Sequence, residues 1–248
     1  MIFTLAGKEL RSMFSSPMGW VILALLQFIF GTFFYNGFDN YMQTMSGAIR
    51  PEQRVGVTEF VGRNVFSIAS IVMLIAVPLL SMRLISEERK NQTLPFLFSA
   101  PLTLTEIVIG KFAGLVGFLT IMVLIIGAMI SSLSLWSDLD FGYLAANMLG
   151  LWLLVASFSA LGIFMSSLTQ QPIVAAIITF VALFGLMILD YFFASDPNSI
   201  FNYLSLMRHF EPFSRGLLDT RDLAYFFLFI LTFLTLTIRR LDADRLRG

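Results

Sequence analysis

Charged residues divide this chain into long apolar stretches joined by polar segments. Five stretches contain no Asp, Glu, Lys or Arg, and they run over 12–38, 64–82, 112–137, 141–189 and 223–238. A membrane-spanning helix needs about 20 apolar residues, because it rises about 1.5 Å per residue and the hydrocarbon core is about 30 Å thick. The first three stretches therefore predict one span each.

The stretch over 141–189 predicts two spans, because a single helix of this length would measure about 73 Å. Its turn is predicted at the polar run from Ser166 to Pro172, where the proline suits the first turn of a new helix. The last stretch is short and is predicted to span by recruiting Leu217 and Leu218. The fold class is thus an all-α integral membrane protein whose six spans form one transmembrane domain over 1–248, namely 18–38, 64–82, 112–135, 143–166, 172–191 and 220–238.

Composition agrees with this class and excludes several functions. Apolar residues make up 57% of the chain and charged residues 13%, whereas soluble domains carry about 25% charge. The formal net charge is zero, so nucleic acid is not an expected partner. With one His and no Cys, we expect no metal site and no thiolate catalysis.

The distribution of Lys and Arg predicts the orientation in the membrane. Six spans place both termini and the segment 83–111 on one face. That face carries Lys8, Arg11, Arg83, Arg89, Lys90, Lys111, Arg239, Arg240, Arg245 and Arg247. The other face carries Arg50, Arg54, Arg63, Arg208, Arg215 and Arg221. The positive-inside rule therefore predicts cytoplasmic termini.

The first 16 residues are predicted to form an amphipathic helix in the membrane interface. Apolar residues recur there at helical spacing, with Lys8, Glu9 and Arg11 between them, and the Ser16-Pro17 pair ends the pattern. The alternative is a simple cytoplasmic extension of the first span.

The polar segment 83–111 is the best candidate for contact with a partner outside the membrane. Ser86 is predicted to cap a short helix, with Glu87 and Glu88 in its first turn, and Pro95 and Pro101 are predicted to stop it. In the alternative interpretation, its charges merely solvate a loop. At the end of the segment, Gly110 and Gly114 form a small-x-x-x-small pattern, continued by Gly117, which predicts close helix packing or arises by chance.

The same segment resembles the cytoplasmic loop of ABC-2-type ABC transporter permeases. The resemblance rests on Ser86 to Leu97, on Ser99-Ala100-Pro101 and on Glu106 to Phe112. The opening Lys8 to Arg11 and the region His209 to Gly216 resemble the gliding-motility permeases of the GldF type and, more distantly, copper-site assembly permeases of the NosY type. Asn91-Gln92 stands in place of a common acidic-Gly pair, and Pro95 in place of Glu.

The resemblance implies an exporter-type subunit of the bacterial inner membrane, with a coupling helix between spans two and three that docks on a separate ABC ATPase subunit. That subunit would bind ATP and Mg, so this chain would hold no cofactor. Further implied partners are a second permease copy, an extracytoplasmic accessory protein of the GldG type and the lipid bilayer. The implied coupling residues are Glu87, Glu88, Arg89, Lys90, Thr93, Leu94, Phe96 and Leu97.

A second candidate region lies on the opposite face. The resemblance implies short re-entrant helices over 192–219, where His209, Glu211 and Arg215 are the candidate residues. His209 is either a substrate contact, a pH-sensitive gate or, as we favour, a hydrogen-bonded structural residue.

Other function classes remain as alternatives. Secondary transporters hold titratable groups at mid-membrane, which the charge-free spans lack. A membrane-bound enzyme needs a catalytic constellation, and neither a nucleophile motif nor a phosphate loop is present, because Thr105 and Phe112 break the pattern around Gly110-Lys111. An ATP-driven mechanical or scaffold complex acting on an extracytoplasmic partner stays open.

Overall fold

The computed structural model describes residues 1–46, 56–93, 102–135, 139–193 and 203–246, and within these ranges the regular structure is helical. The nine α-helices of these ranges are α1 Ile2–Ser15, α2 Pro17–Met45, α3 Val57–Ser81, α4 Arg83–Lys90, α5 Leu104–Ser131, α6 Phe141–Leu168, α7 Pro172–Phe193, α8 Leu206–Ser214 and α9 Thr220–Arg245. A 3₁₀ turn at Ser132–Leu135 follows α5.

Helix α6 forms the centre of the bundle and packs against α3, α5, α7, α8 and α9. Of its most apolar 18-residue window, 72% is buried, against 17% for the windows of α2 and α9. Small residues allow this close packing. A Cβ at Gly162 would lie 2.2 Å from Oγ of Ser81, and one at Gly150 would lie 2.4 Å from Cβ of Phe213. The outer helices α2 and α9 consequently keep wide apolar surfaces.

Among the described residues, five helices are long and apolar enough to cross a membrane, namely α2, α3 with α4, α5, α6 and α9. Helix α7 has 22 residues, and its apolar stretch is described over Pro172–Ile188. The architecture is that of a multi-helix membrane protein, and the sixth span and the orientation of the termini stay predictions.

Helix α1 is separate from α2, and it packs against the bundle rather than lying only on its surface. It packs along α5 over most of its length. Ser16 leaves the helical conformation, with ψ of 129°, and Pro17 opens α2. The turn between them is tight, because a Cβ at Gly19 would lie 2.2 Å from the carbonyl oxygen of Met13.

The helix predicted to begin at Ser86 starts earlier. Helix α3 ends at Ser81, and α4 begins at Arg83 after the single residue Met82. Ser86 therefore does not cap the helix. It is buried inside α4, where its hydroxyl donates to the carbonyl oxygen of Met82. The cap prediction is wrong because α4 begins three residues before Ser86, at Arg83, directly after the break at Met82.

The end of α4 is also different from the prediction. The helix ends at Lys90, before Pro95 and Pro101, which lie outside the described residues. The N–H of Gln92 donates to Arg89 O (3.2 Å) and the N–H of Thr93 donates to Glu88 O (2.9 Å). This paired closure is a Schellman motif, and it places Gln92 at φ 55°, where glycine is usual.

At the opposite end of the bundle, α8 lies in the region predicted to be re-entrant. Ser205 caps α8 by accepting from the N–H of Arg208 at 3.4 Å. A second Schellman closure ends it, with Gly216 at φ 77° and the N–H of Leu217 donating to Pro212 O at 2.9 Å. Part of the predicted region, 194–202, lies outside the described residues.

Candidate functional site

Lys111, near the start of α5, is a buried cation held by two carboxylates. Its residue exposure is 1%, and its Nζ donates to Oε1 of Glu9 at 2.8 Å and to Oε1 of Glu88 at 2.7 Å. A buried ammonium group is tolerated when such partners compensate its lost hydration. We call Glu9, Lys111 and Glu88 the lysine node. It joins α1, α4 and α5 through side chains.

Two glycines of α5 allow the node to form. A Cβ at Gly114 would lie 2.7 Å from Cβ of Glu9 and 3.0 Å from the carbonyl oxygen of Ala6, and one at Gly110 would lie 2.8 Å from Cδ2 of Leu5. Helix α1 thus lies directly against the glycine face, which brings the carboxylate of Glu9 to Lys111. The predicted close packing at these glycines is confirmed, and its partner is α1.

Helix α4 is also tied to α6. Oγ of Ser166 accepts from the backbone N–H of Ile85 at 3.2 Å and of Ser86 at 3.0 Å, and it donates to Met82 O at 2.9 Å. Because the first N–H groups of a helix lack intrahelical acceptors, Ser166 acts like a cap supplied by a distant helix. These bonds fix the direction of α4 relative to the core.

A further contact ties α4 to the C-terminal helix. Arg89 forms an ion pair with Asp244 of α9, and Arg240 lies 3.8 Å from the same carboxylate. Together with the node and Ser166, this pair attaches α4 to α1, α5, α6 and α9. A force on α4 is therefore applied to four helices at once.

The remaining face of α4 is exposed. Arg83, Glu87 and Lys90 are exposed and lie at i, i+4 and i+7, so they share one side of the helix. In the part of the chain that the structure describes, no opposite charge lies within 4 Å of these three side chains. We call them the outer face of α4. Their free charges are available to a partner.

The comparison with protein families identifies the class of membrane protein. The family model for ABC-2 family transporter proteins matches residues 3–243. The chain belongs to the ABC-2 transporter family. It is therefore a multi-pass membrane component of an ABC transporter, which implies an ABC ATPase as partner, and permease domains of this family are not catalytic. Among curated proteins, none shows a significant match to the sequence.

The structure separates the predicted coupling residues of this permease into groups. Glu87, Lys90 and Thr93 are exposed, whereas Glu88 and Arg89 are half-buried and turned into their ion pairs. Leu94, Phe96 and Leu97 lie outside the described residues. Of the three charged residues of the predicted interfacial helix, Lys8 and Arg11 are exposed and Glu9 belongs to the lysine node.

At the other end of the permease, His209 is buried with both ring nitrogens in contact with oxygen. Nδ1 lies 2.6 Å from Oδ1 of Asp222, and Nε2 lies 3.0 Å from the carbonyl oxygen of Tyr203. The imidazole stacks on Tyr225 with ring centroids 3.8 Å apart, and the Tyr225 hydroxyl donates to Leu204 O at 2.7 Å. These contacts are those of a hydrogen-bonded structural residue that fastens α8 to α9.

The other two candidates of this region lie on the surface. Arg215 and Glu211 form an exposed i,i+4 ion pair at 2.5 Å, and such pairs contribute little to stability. Within the described ranges, His, Asp and Glu side chains form no group of three suited to a metal ion.

Several partners were not predicted from the sequence. In the sequence, Lys111 stood out only in the Gly110-Lys111 pair and among the charges of one face. No local sequence pattern indicated the roles of Ser166, Asp222 and Asp244. One general signal was present, since Lys111 directly precedes a charge-free stretch. A lysine at such a boundary is expected to need a carboxylate once the helix continues beyond it.

Proposed function

We propose that the ABC ATPase docks on the outer face of α4, and that the lysine node carries its movement into the membrane bundle. Glu87 and Lys90 supply exposed charges for recognition on this face, together with Thr93 at the helix end. Further contacts with the ATPase at Leu94, Phe96 and Leu97 belong to the proposal, and these residues lie outside the described ranges. Glu88 and Arg89 act inward, as links between α4 and the bundle.

The observation that carries this proposal is the attachment of α4 to other helices by buried polar contacts. Lys111 is 1% exposed and bonded to both α1 and α4. A freely solvated loop would have no such contacts, so the node favours a coupling role over simple solvation. When the ATPases close on ATP, α4 would move as one unit with α1 and the start of α5.

The finer picture completes the proposal. Six spans with cytoplasmic termini place α4 in the bacterial cytoplasm beside the inner membrane, and α7 provides the fifth span. The ATPase binds ATP and Mg. Two permease copies pair through apolar surfaces such as those of α2 and α9, whose most apolar windows are each 17% buried. Substrate leaves the cell between or along the paired helices.

A mechanical complex is the second candidate function. The resemblance of Lys8 to Arg11 and of His209 to Gly216 to gliding-motility permeases favours it. In that case, the exposed Glu211–Arg215 pair beside α9 would face an accessory protein of the GldG type. The same α4 coupling would serve either function.

Co-purification with the ATPase subunit tests the docking proposal. The Glu87→Lys and Lys90→Glu variants each reverse one charge of the outer face. We expect at least about tenfold weaker association for each, because charges at a docking surface control its recognition. Arg221→Glu, an equal charge change at an exposed position on the opposite end, is the matched control.

A variant of the node tests the coupling step separately. Lys111→Met leaves the outer face intact, so the ATPase should still bind while its hydrolysis is no longer coordinated with the permease. Docking elsewhere is indicated if both outer-face variants bind the ATPase as well as Arg221→Glu. Coupling through the node is refuted if the assembled Lys111→Met complex transports at the normal rate per ATP hydrolysed.

A further inference from the structure

A cavity opens between α1, the start of α2, the end of α3 and α4. Its volume is about 400 Å³, and the lysine node forms one wall of it. Because α2 begins at Pro17 and α3 ends at Ser81, the cavity lies where two membrane helices reach the same face of the bilayer. Because membrane spans end near the headgroups, we expect the cavity at that depth rather than among the acyl chains.

The polar wall carries separated positive and negative groups. Lys8 and Arg83 line the cavity, and in the described part of the chain neither has a carboxylate within ion-pair distance. Glu87 and Glu88 line it as well. Oε2 of Glu88 is buried and has no hydrogen-bond partner among the described residues, because Lys111 binds the other oxygen.

The lysine node sets the sign of charge that this wall attracts. It contains two carboxylates and one ammonium, so it keeps a net negative charge beside the free oxygen of Glu88. A buried carboxylate oxygen without a donor is costly, and the partly exposed side chain of Glu88 can turn to accept an N–H group from a ligand. The unpaired Lys8 and Arg83 meanwhile suit an anionic group, and Arg83 can bind a phosphate with two N–H groups.

The remaining wall is apolar. Met13, Met18, Leu79, Leu80 and Leu84 line it, and Leu79 is 37% exposed. Such a wall can pack against the upper carbons of a lipid, whereas a purely soluble ion would gain nothing from contact with it.

We propose that this cavity binds a zwitterionic phospholipid headgroup with a primary ammonium, as in phosphatidylethanolamine. The phosphate lies against Lys8 and Arg83, and the ammonium donates to the carboxylate of Glu88, whose side chain is 20% exposed. A choline headgroup has no N–H to donate, and a purely anionic headgroup leaves the carboxylate unsatisfied. The lipid therefore rests on α1 and α4 together and stabilises their contact.

Thermal unfolding of the purified full-length permease in detergent tests the site. Short-chain phosphatidylethanolamine, phosphatidylcholine and phosphatidylglycerol are titrated in parallel, and free phosphoethanolamine is titrated alongside. A ligand that binds the folded state raises the midpoint with concentration. We expect phosphatidylethanolamine to raise the midpoint at lower concentration than the other three compounds.

Two variants connect this selectivity to the cavity. Lys8→Ala with Arg83→Ala changes exposed side chains, so the chain should fold, and the apparent affinity for phosphatidylethanolamine should fall roughly tenfold or more. Arg11→Ala removes one positive charge from α1, the helix of Lys8, at a position that does not line the cavity, and it should bind normally. The Glu88→Gln variant should lose the preference for the ethanolamine lipid over the choline lipid. This comparison holds even if its unfolding midpoint without lipid differs from that of the original chain.

The outcomes separate the possible occupants. Equal shifts with phosphatidylethanolamine and phosphatidylcholine, or an unchanged affinity in the double variant, would overturn the proposal. Free phosphoethanolamine as effective as the lipid would overturn the lipid source and indicate a soluble ligand. Loss of the lipid shift on assembly with the ATPase would also overturn it, since the partner would then fill the cavity.

Discussion

Replacing Lys111 by Met should destabilise the permease by removing the cation between two carboxylates. Met preserves most of the side-chain volume, so the change is mainly electrostatic. Oε1 of Glu9 lies 2.8 Å and Oε1 of Glu88 lies 2.7 Å from Nζ. The two oxygens can therefore be no more than about 5.5 Å apart, which corresponds to a repulsion of about 3 kcal/mol at an effective dielectric constant of 20.

Partial exposure of the two carboxylates reduces this figure. Their side chains are 13% and 20% exposed, so water and small movements relieve part of the repulsion. We expect a loss of about 2–3 kcal/mol, at the lower end of the usual cost of breaking a buried ion pair. For a chain of this length, the unfolding midpoint should fall by roughly 4–12 °C. Tryptophan fluorescence of the detergent-solubilised permease during heating measures this change.

A combined variant distinguishes repulsion from lost packing. Glu9→Gln and Glu88→Gln added to Lys111→Met remove all three charges, and stability should recover by at least half. Lys111→Met as stable as the original chain would refute the node. A combined variant less stable than Lys111→Met alone would show that charge repulsion is not the cause.

Three further predictions concern the helices around the node. Gly114→Ala should cost about 1–3 kcal/mol and loosen α1, because the new Cβ would meet the α1 backbone, whereas Gly117→Ala, with its nearest contact at 3.7 Å, should change the unfolding midpoint little. Gln92→Gly should slow hydrogen exchange at the end of α4, because glycine removes the roughly 1 kcal/mol strain of the left-handed conformation at φ 55°. Faster exchange in this variant would contradict the Schellman closure. Ser166→Ala should cost about 1–3 kcal/mol, because it leaves two N–H groups of α4 without their acceptor. Ser159→Ala loses only a bond within its own helix and should cost clearly less. Equal unfolding midpoints for the two variants would refute the cap across helices.

The helical membrane class was predictable from the sequence because it depends on local composition. Charge-free stretches mark helices whether or not their neighbours are known. The observed helices extend beyond the predicted spans, as α5 shows by starting at Leu104 rather than at Phe112. Thr103 and Glu106 form a capping box there, a local signal that hydropathy alone does not weigh.

The site was less predictable because it depends on helix rotation and on distant contacts. Glu87 and Glu88 are neighbours in sequence, yet one points outward and the other binds Lys111. Which of them turns inward follows from the direction of α4, and Ser166 on another helix fixes that direction. Glycine spacing predicted a close contact for α5 but could not name α1 as its partner.

The contact between α1 and α5 sets an order of events during synthesis. Glu9 and Lys111 are 102 residues apart, so at about 5–20 residues per second α1 leaves the ribosome roughly 5–20 s before Lys111 is made. During that interval α5 is not yet there to cover the apolar face of α1, and we expect that face to lie on the bilayer surface. Insertion of α5 then offers the glycine face, and α1 exchanges lipid for protein. The amphipathic character of α1 therefore serves biogenesis first and the finished permease afterwards.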